Sequence, residues 1–364
     1  MATGPKSADR LAGEPPTRVL VVDDSAVVRQ TLAAVLSAEE GFEVLSAADP
    51  LFAIEKMDRA RPDVIVLDLE MPRMDGVTFL RYIMKECPLP VVVCSGLSGG
   101  LTAVQALEQG AVAVVEKPRL DVRGFLFESA VLLIDTVRGA AQARVRRRTA
   151  PPPPSPRLSA DAVLPAFRPR VGFLTDTVVA VGASTGGTEA LRALLVPLPA
   201  DAPAMLVVQH MPAGFTRPFA ERLNQVCRME VREAADGDAV RAGRVLVAPG
   251  DRHMMLDRRG GERFVRVTEG PLVSRHRPSV DVLFRSVAQA SGPNAVGVIL
   301  TGMGDDGAAG LLEMRQSGAV TLAQDEKTSV VFGMPRAAIA RGAVDAALPL
   351  DCLPAALLSR LRRT

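Results

Sequence analysis

Arg144-Val145-Arg146-Arg147-Arg148, followed by Pro151-Pro152-Pro153-Pro154-Ser155-Pro156, divides this chain of 364 residues into two parts that cannot share an element running through it. Proline lacks the backbone donor that helix and sheet interiors need, and neighbouring like charges repel, so the stretch neither continues a helix nor joins a sheet. It reads as a linker, extended and semi-rigid through the prolines and looser through the Ala-, Arg- and Ser-rich flanks. Each side is long enough to bury its own core. The expected organisation is a mobile tail over 1–16, a first domain over 17–138, the linker over 139–174 and a second domain over 175–364.

Both parts show the same alternation. In the first, the apolar runs Val19 to Val22, Val64 to Leu67, Val91 to Cys94 and Ala111 to Val115 are separated by helix-like segments such as Ser25 to Ser37 and Asp75 to Glu86. In the second, strands are expected near Val178, Leu206, Val245, Val298 and Val320. Strand–helix repetition with short connections predicts parallel sheets covered on both faces, hence two α/β domains with any site at the carboxyl ends of the strands.

The formal charge of +2 gives no reason to expect nucleic-acid binding. Neither a signal peptide nor an apolar run of about 18 residues is evident, so the expectation is a cytoplasmic protein without membrane insertion. Cys87, Cys94, Cys227 and Cys352 lack C-x-x-C spacing and read as reduced thiols, with no zinc site implied.

Acidic residues follow two strands of the first domain directly: Asp23 and Asp24 after Val22, and Asp68 after Leu67. Converging carboxylates need a counter-cation, and a few oxygen ligands suit Mg²⁺, which keeps several waters. Ser95 and Lys117 end two further strands and offer a hydroxyl and a point cation for a phosphoryl oxygen. Singly, each is a solvated loop charge or a helix cap. Together, at successive strand ends, they describe a phosphate-accepting site.

These residues, with Leu69-Glu70-Met71-Pro72-Arg73-Met74-Asp75-Gly76, make residues 17–138 resemble the receiver domain of two-component response regulators. The resemblance implies a flavodoxin-like fold with a five-stranded parallel sheet, Asp68 as phosphoacceptor, and Mg²⁺ held by Asp23, Asp24, Asp68 and the Glu70 carbonyl. It also implies Ser95 and Lys117 as switch residues and a histidine kinase as phosphodonor. Val114 departs from the pattern, standing where many receivers carry an aromatic switch residue.

In the second domain Gly182-Ala183-Ser184-Thr185-Gly186-Gly187 places a serine in a G-x-S-x-G turn between an expected strand and helix. Such a turn can expose a nucleophile, cradle a phosphate or simply allow close helix packing. A nucleophilic serine needs a base, and the chain holds only His210, His253 and His276. His210 ends the run Ala204 to Gln209, one strand–helix unit after Ser184, and is preferred. His253 precedes a short apolar stretch and His276 lies in the basic loop Ser274 to Pro278. An imidazole base would be lost to protonation as pH falls through roughly 6 to 7. Asp305 and Asp306, after the strand Ala295 to Leu300, offer either an orienting carboxylate or a helix N-cap. The order Ser, His, Asp is not that of the α/β-hydrolases, so a different scaffold is expected for the same geometry.

Gln209 to Thr216, Ala248 to Met254, Arg277 to Asp281, Leu300 to Gly304 and Phe332 to Ile339, taken with the serine turn, resemble the methylesterase domain of the CheB family of bacterial chemotaxis. The resemblance implies a doubly wound α/β domain with Ser184 as nucleophile, His210 as base and Asp306 as its orienter. Backbone N–H groups near Thr185 and Met303 would hold the oxyanion, with no cofactor for the esterase. The implied activity is phosphorylation-regulated hydrolysis of glutamate methyl esters on methyl-accepting chemoreceptors, with deamidation of receptor glutamines, by a monomeric protein. Asp305 stands where family members commonly carry Asn, an extra carboxylate of the kind that raises the pKa of a nearby imidazole. Rival readings are the same chemistry in another signalling pathway, a transcriptional regulator, and a non-catalytic receptor-binding scaffold. The second domain is far larger than a helix-turn-helix module and shows no basic recognition helix.

Overall fold

The computed structural model describes residues 15–72, 74–96, 100–117, 123–143 and 177–361. Most of the expected tail and linker, Arg73 and Pro118 therefore lie outside the described residues. The first domain runs β1 (Thr17–Val22), α1 (Ala26–Ser37), β2 (Phe42–Ala47), α2 (Pro50–Arg59), β3 (Val64–Asp68), α3 (Gly76–Glu86), β4 (Val91–Ser95), α4 (Gly100–Glu108), β5 (Ala113–Glu116) and α5 (Arg123–Ala141). Every pairing is parallel, in the order β2-β1-β3-β4-β5. This is the flavodoxin-like winding, with its crevice where β1 and β3 diverge. Ser25 and Asp75 stand outside their helices as N-caps, accepting from Val28 N at 3.4 Å and Thr78 N at 2.8 Å. Helix α5 continues through Ala141, into the first residues read as linker.

The second domain runs β6 (Val178–Ala183), α6 (Gly187–Leu195), β7 (Ala204–Gln209), α7 (Thr216–Val226), β8 (Glu230–Glu233), β9 (Arg244–Val247), β10 (His253–Arg259), β11 (Glu262–Thr268), α8 (Val280–Ser291), β12 (Ala295–Ile299), α9 (Ala308–Gln316), β13 (Val320–Gln324), α10 (Met334–Ala340), β14 (Ala346–Leu348) and α11 (Leu353–Leu361). Seven strands form a parallel sheet in the order β14-β13-β12-β6-β7-β9-β8, and β10 and β11 form a separate antiparallel hairpin. The five expected strands form its core. The edge strands β8 and β14 and the hairpin are additions.

The central strands β6, β7 and β12 are buried throughout, because helices cover both faces of the sheet. Winding reverses beside β6, which pairs with β12 on one side and β7 on the other. The turns after these three adjacent strands open at one carboxyl edge, where open α/β sheets place their sites.

The two domains meet at that edge. Helix α4 packs on α6 and α7, Arg222 pairs with Glu108, and the Gly186 N–H in the serine turn donates to the Val112 carbonyl at 3.1 Å. Helix α5 approaches closely because residue 139 is glycine: a Cβ there would lie 2.7 Å from Met303 Sδ and 3.0 Å from Met303 Cβ.

Candidate active site

In the first domain, β1 and β3 deliver Asp23 and Asp68 to one buried spot, each 1% exposed, with the exposed Asp24 beside them. Lys117, after β5, reaches across with Nζ 2.7 Å from Asp68 Oδ2 and 3.3 Å from Asp23 Oδ2. Burial raises the pKa of Asp23, with Asp68 adding to the rise and Lys117 opposing it. Burial acts to lower the pKa of Lys117, but its bonds to Asp68 and Asp23 outweigh that and raise it. Carboxylate oxygens of Asp23, Asp24 and Asp68 lie within 4.8 Å of one another, an all-oxygen set of the kind a hard divalent cation takes.

The Glu70 N–H donates to Asp68 Oδ1 at 3.1 Å, so this residue holds the carboxylate in place. Ser95 is buried and its hydroxyl donates to the Gly96 carbonyl at 3.4 Å, while Lys117 N donates to the Ser95 carbonyl at 3.0 Å. Val114 is buried and lines a cavity between the domains. All the expected residues of this site thus gather at one end of the sheet.

In the second domain, Ser184 follows β6, His210 follows β7 and Asp306 lies in the turn between β12 and α9. The Ser184 N–H donates to the Thr301 carbonyl and the His210 N–H to the Ala183 carbonyl, each at 3.0 Å, which joins the three turns edge to edge. His210 Nε2 meets Asp306 Oδ2 at 2.8 Å with both side chains almost wholly buried. Nδ1 of His210 is then the ring nitrogen without a hydrogen-bond partner among the described residues.

Asp306 also accepts from Ser279 Oγ at 2.7 Å and from the N–H groups of Val280 and Asp281 at 2.8 and 3.0 Å. Its burial alone would raise the pKa. The hydrogen bond to His210, the facing imidazoles and the α8 N–H groups outweigh that, so Asp306 is held below the usual carboxylate range. Of the adjacent aspartates, Asp306 is therefore the one turned inward. Asp305 is exposed and its carboxylate reaches Arg341 at 3.4 Å instead of the imidazole.

His253 belongs to the scaffold: its Nε2–H donates to the Pro271 carbonyl at 2.8 Å, and its Nδ1 accepts from Ser279 N at 3.3 Å. His276 is not a bystander in a loop. Its ring lies parallel to that of His210, centroids 3.7 Å apart and planes within 7°. Sequence reasoning also passed over Gln209, whose buried Nε2 donates to the carbonyls of Ser184 at 2.9 Å and His210 at 3.1 Å. Its signal was present: one amide ending an apolar strand, immediately before the histidine.

Thr185 and Met303 line the same cavity as Ser184 and His210, and among the described residues no hydrogen bond engages their backbone N–H groups. Gly302 allows the two turns to touch, since a Cβ there would lie 2.7 Å from Ser184 Cβ and 2.3 Å from Met334 Sδ. The cavity, about 260 Å³, is walled by Val112, Val114 and Asp135 of the first domain as well as by the turns that carry Ser184, His210 and Met303.

Comparison with known proteins agrees with both halves. Residues 19–123 match the response regulator receiver domain, and residues 179–357 match the CheB methylesterase. A protein-glutamate methylesterase/protein-glutamine glutaminase of Anaeromyxobacter dehalogenans is 58% identical over the full length of both chains. One from Geobacter metallireducens is 57% identical over 92% of this chain and 96% of its own. The catalytic domain of Thermotoga maritima CheB methylesterase superposes with a TM-score of 0.50 at 38% identity, covering 51% of this chain and 98% of that one. The chain belongs to the CheB methylesterase family, in the form that carries a response regulator receiver domain ahead of the catalytic domain.

Proposed function

We propose that the chain hydrolyses side-chain methyl esters of glutamate on methyl-accepting chemoreceptors, releasing methanol, and deamidates receptor glutamines by the same acyl transfer. The observation that carries this is the His210–Asp306 bond through Nε2, which leaves Nδ1 of the base unengaged in the cavity that Ser184 and two unengaged backbone donors also line. Ser184 Oγ attacks the ester carbonyl while Nδ1 of His210 takes its proton. The Thr185 and Met303 N–H groups are placed to hold the oxyanion. The tetrahedral intermediate collapses as His210 returns the proton to the leaving methoxide, giving methanol and an acyl-serine. His210 then deprotonates water, which attacks the acyl group and releases glutamate and the free serine. With glutamine, ammonia leaves in place of methanol.

Membranes bearing receptors labelled in the methyl group, incubated with the protein, are expected to yield labelled methanol. Yield no greater than in protein-free membranes would reject the assignment. Gly302→Ala crowds Ser184 without touching the base, so kcat is expected to fall about 100-fold with KM nearly unchanged; steady-state methanol release checks this.

In the receiver, spanning Thr17 to the end of α5, Asp68 is assigned as phosphoacceptor for a histidine kinase, with Asp23, Asp24 and the Glu70 carbonyl as the other Mg²⁺ ligands. The ion would supply charge neutralisation for phosphoryl transfer. Lys117 already bridges Asp23 and Asp68 and would meet a phosphoryl oxygen, and Ser95 would turn its hydroxyl from Gly96 toward it. A receptor helix is about 10–12 Å across, and residues of α5 and β5 wall the cavity into which its glutamyl side chain must reach. The receiver is thus an autoinhibitory cover, and phosphorylation acts by favouring the open arrangement. Gly139→Leu forces α5 off Met303, so the unphosphorylated rate is expected to rise several-fold, toward that of the phosphorylated wild type. No change in methanol release without phosphodonor would contradict this.

A further inference from the structure

The stacked ring of His276 is not explained by a serine, a base and an orienting carboxylate. It is carried on a two-residue turn, Val273 to His276, closed by reciprocal backbone bonds of 3.1 and 2.9 Å. Ser274 and Arg275 both have left-handed backbone, φ 51° and 66°, a conformation that side-chain-bearing residues rarely adopt. The turn is pinned on each side: Ser274 Oγ to Asp281 at 3.0 Å, Arg275 to Asp135 of α5 at 3.1 Å, and Arg277 to Asp251. The Nδ1–H of His276 donates to the Ser274 carbonyl at 2.7 Å, which fixes the ring's tautomer and plane.

The arrangement excludes two other uses. His210, His276 and Asp306 place ligand atoms within 4.8 Å of one another, as a metal site would. Imidazole lone pairs lie in the ring plane, however, and two parallel rings cannot direct both at one ion about 2.0–2.1 Å away. Nor is His276 a second base in ordinary conditions: burial and the facing His210 push its pKa down to about 3, with Asp306 opposing and Arg275 assisting. It presents a neutral aromatic face to the base.

We propose that His276 is a positioning residue for His210, clamping the plane of the base against rotation away from Asp306 and covering the imidazolium that forms when Ser184 gives up its proton. The inference rests on the assignment of His210 as base. A neutral ring stacked on an imidazolium is favourable, whereas a charged one would repel it. What the base requires of position 276 is therefore a flat ring, not a titrating nitrogen. The charged groups around the stack, Asp306, Asp281 and the Arg275–Asp135 and Arg277–Asp251 pairs, are all retained when that ring is exchanged.

The test measures kcat and KM for methanol release across pH in the full-length protein treated with phosphodonor, comparing wild type, His276→Ala, His276→Phe and His210→Ala. His276→Ala is expected to lose about 100-fold in kcat with KM changed little, as befits a misplaced base. His276→Phe is expected to recover most of that loss and to keep the acidic limb of the wild-type pH profile. Wild-type kcat in His276→Ala, or His276→Phe no better than His276→Ala, would overturn the proposal, the second by showing that a ring nitrogen is needed. Should His276→Ala fail the folding check by thermal unfolding, His276→Phe decides alone: activity with an unmoved acidic limb supports the clamp, and loss of activity in a folded protein ends it. Full activity in His210→Ala would instead remove the base assignment, a distinct result.

Discussion

Ser184→Ala is expected to abolish methanol release, by about a million-fold on the scale set by other serine hydrolases, while leaving the fold intact. The fold is spared because the contacts that hold residue 184 are made by its backbone. Its N–H donates to Thr301 and its carbonyl accepts from Gln209, and alanine keeps both. The hydroxyl it loses makes no hydrogen bond among the described residues, so no buried partner is left orphaned. Thermal unfolding and phosphorylation of Asp68 are therefore expected to match wild type. Methanol release within tenfold of wild type would show that the nucleophile lies elsewhere.

Asp306→Asn is expected to lower kcat about ten-thousand-fold, as when the orienting carboxylate of a triad becomes an amide. The carboxylate accepts from four directions, His210 Nε2, Ser279 Oγ and two N–H groups of α8. Oδ2 serves His210 Nε2 and Val280 N, and Oδ1 serves Ser279 Oγ and Asp281 N, so the amide NH₂ must replace one of these acceptors. At the Oδ2 position it forces the other imidazole tautomer, blocks Nδ1 as proton acceptor and leaves the Val280 N–H unmet; at the Oδ1 position it leaves the Asp281 N–H unmet. A loss of stability of about 1–3 kcal/mol accompanies either case. Because the folded-state pKa of Asp306 is depressed, its stabilising contribution is fully present above the unfolded value near pH 4 and is lost as pH falls further, through the folded value. Single-turnover methanol release and denaturant unfolding separate the two effects.

The central strands were legible because burial on both faces leaves an uninterrupted apolar run, as in β3, β6, β7 and β12. The strands that escaped notice lie at edges or outside the main sheet: β2 and β8 are partly exposed and interleave polar residues, β14 is partly exposed and only three residues long, and β10 and β11 alternate faces. At the site, Ser184, His210 and Asp306 could be named because each ends or closely follows a strand whose position was readable. Which of Asp305 and Asp306 faces inward was not, since adjacent residues in a turn share the same local signals. The stack of His276 on His210 was equally hidden, because its turn is built by Ser274 and Arg275 without the glycine or asparagine that marks such turns. The domain contact was the least visible feature. Val112, Gly139 and Met303 have the composition of ordinary core residues, and only folding brings them against the catalytic turns.

Control of the esterase by its receiver is the claim on which the rest converges, and methanol release from methylated receptor membranes with and without acetyl phosphate and Mg²⁺ tests it most directly. The expected result is a several-fold or larger rise in the wild-type rate on adding the phosphodonor and no rise in Asp68→Asn, with equal basal rates in the two proteins. An unresponsive wild type, or an Asp68→Asn variant that responds as strongly, would contradict the account.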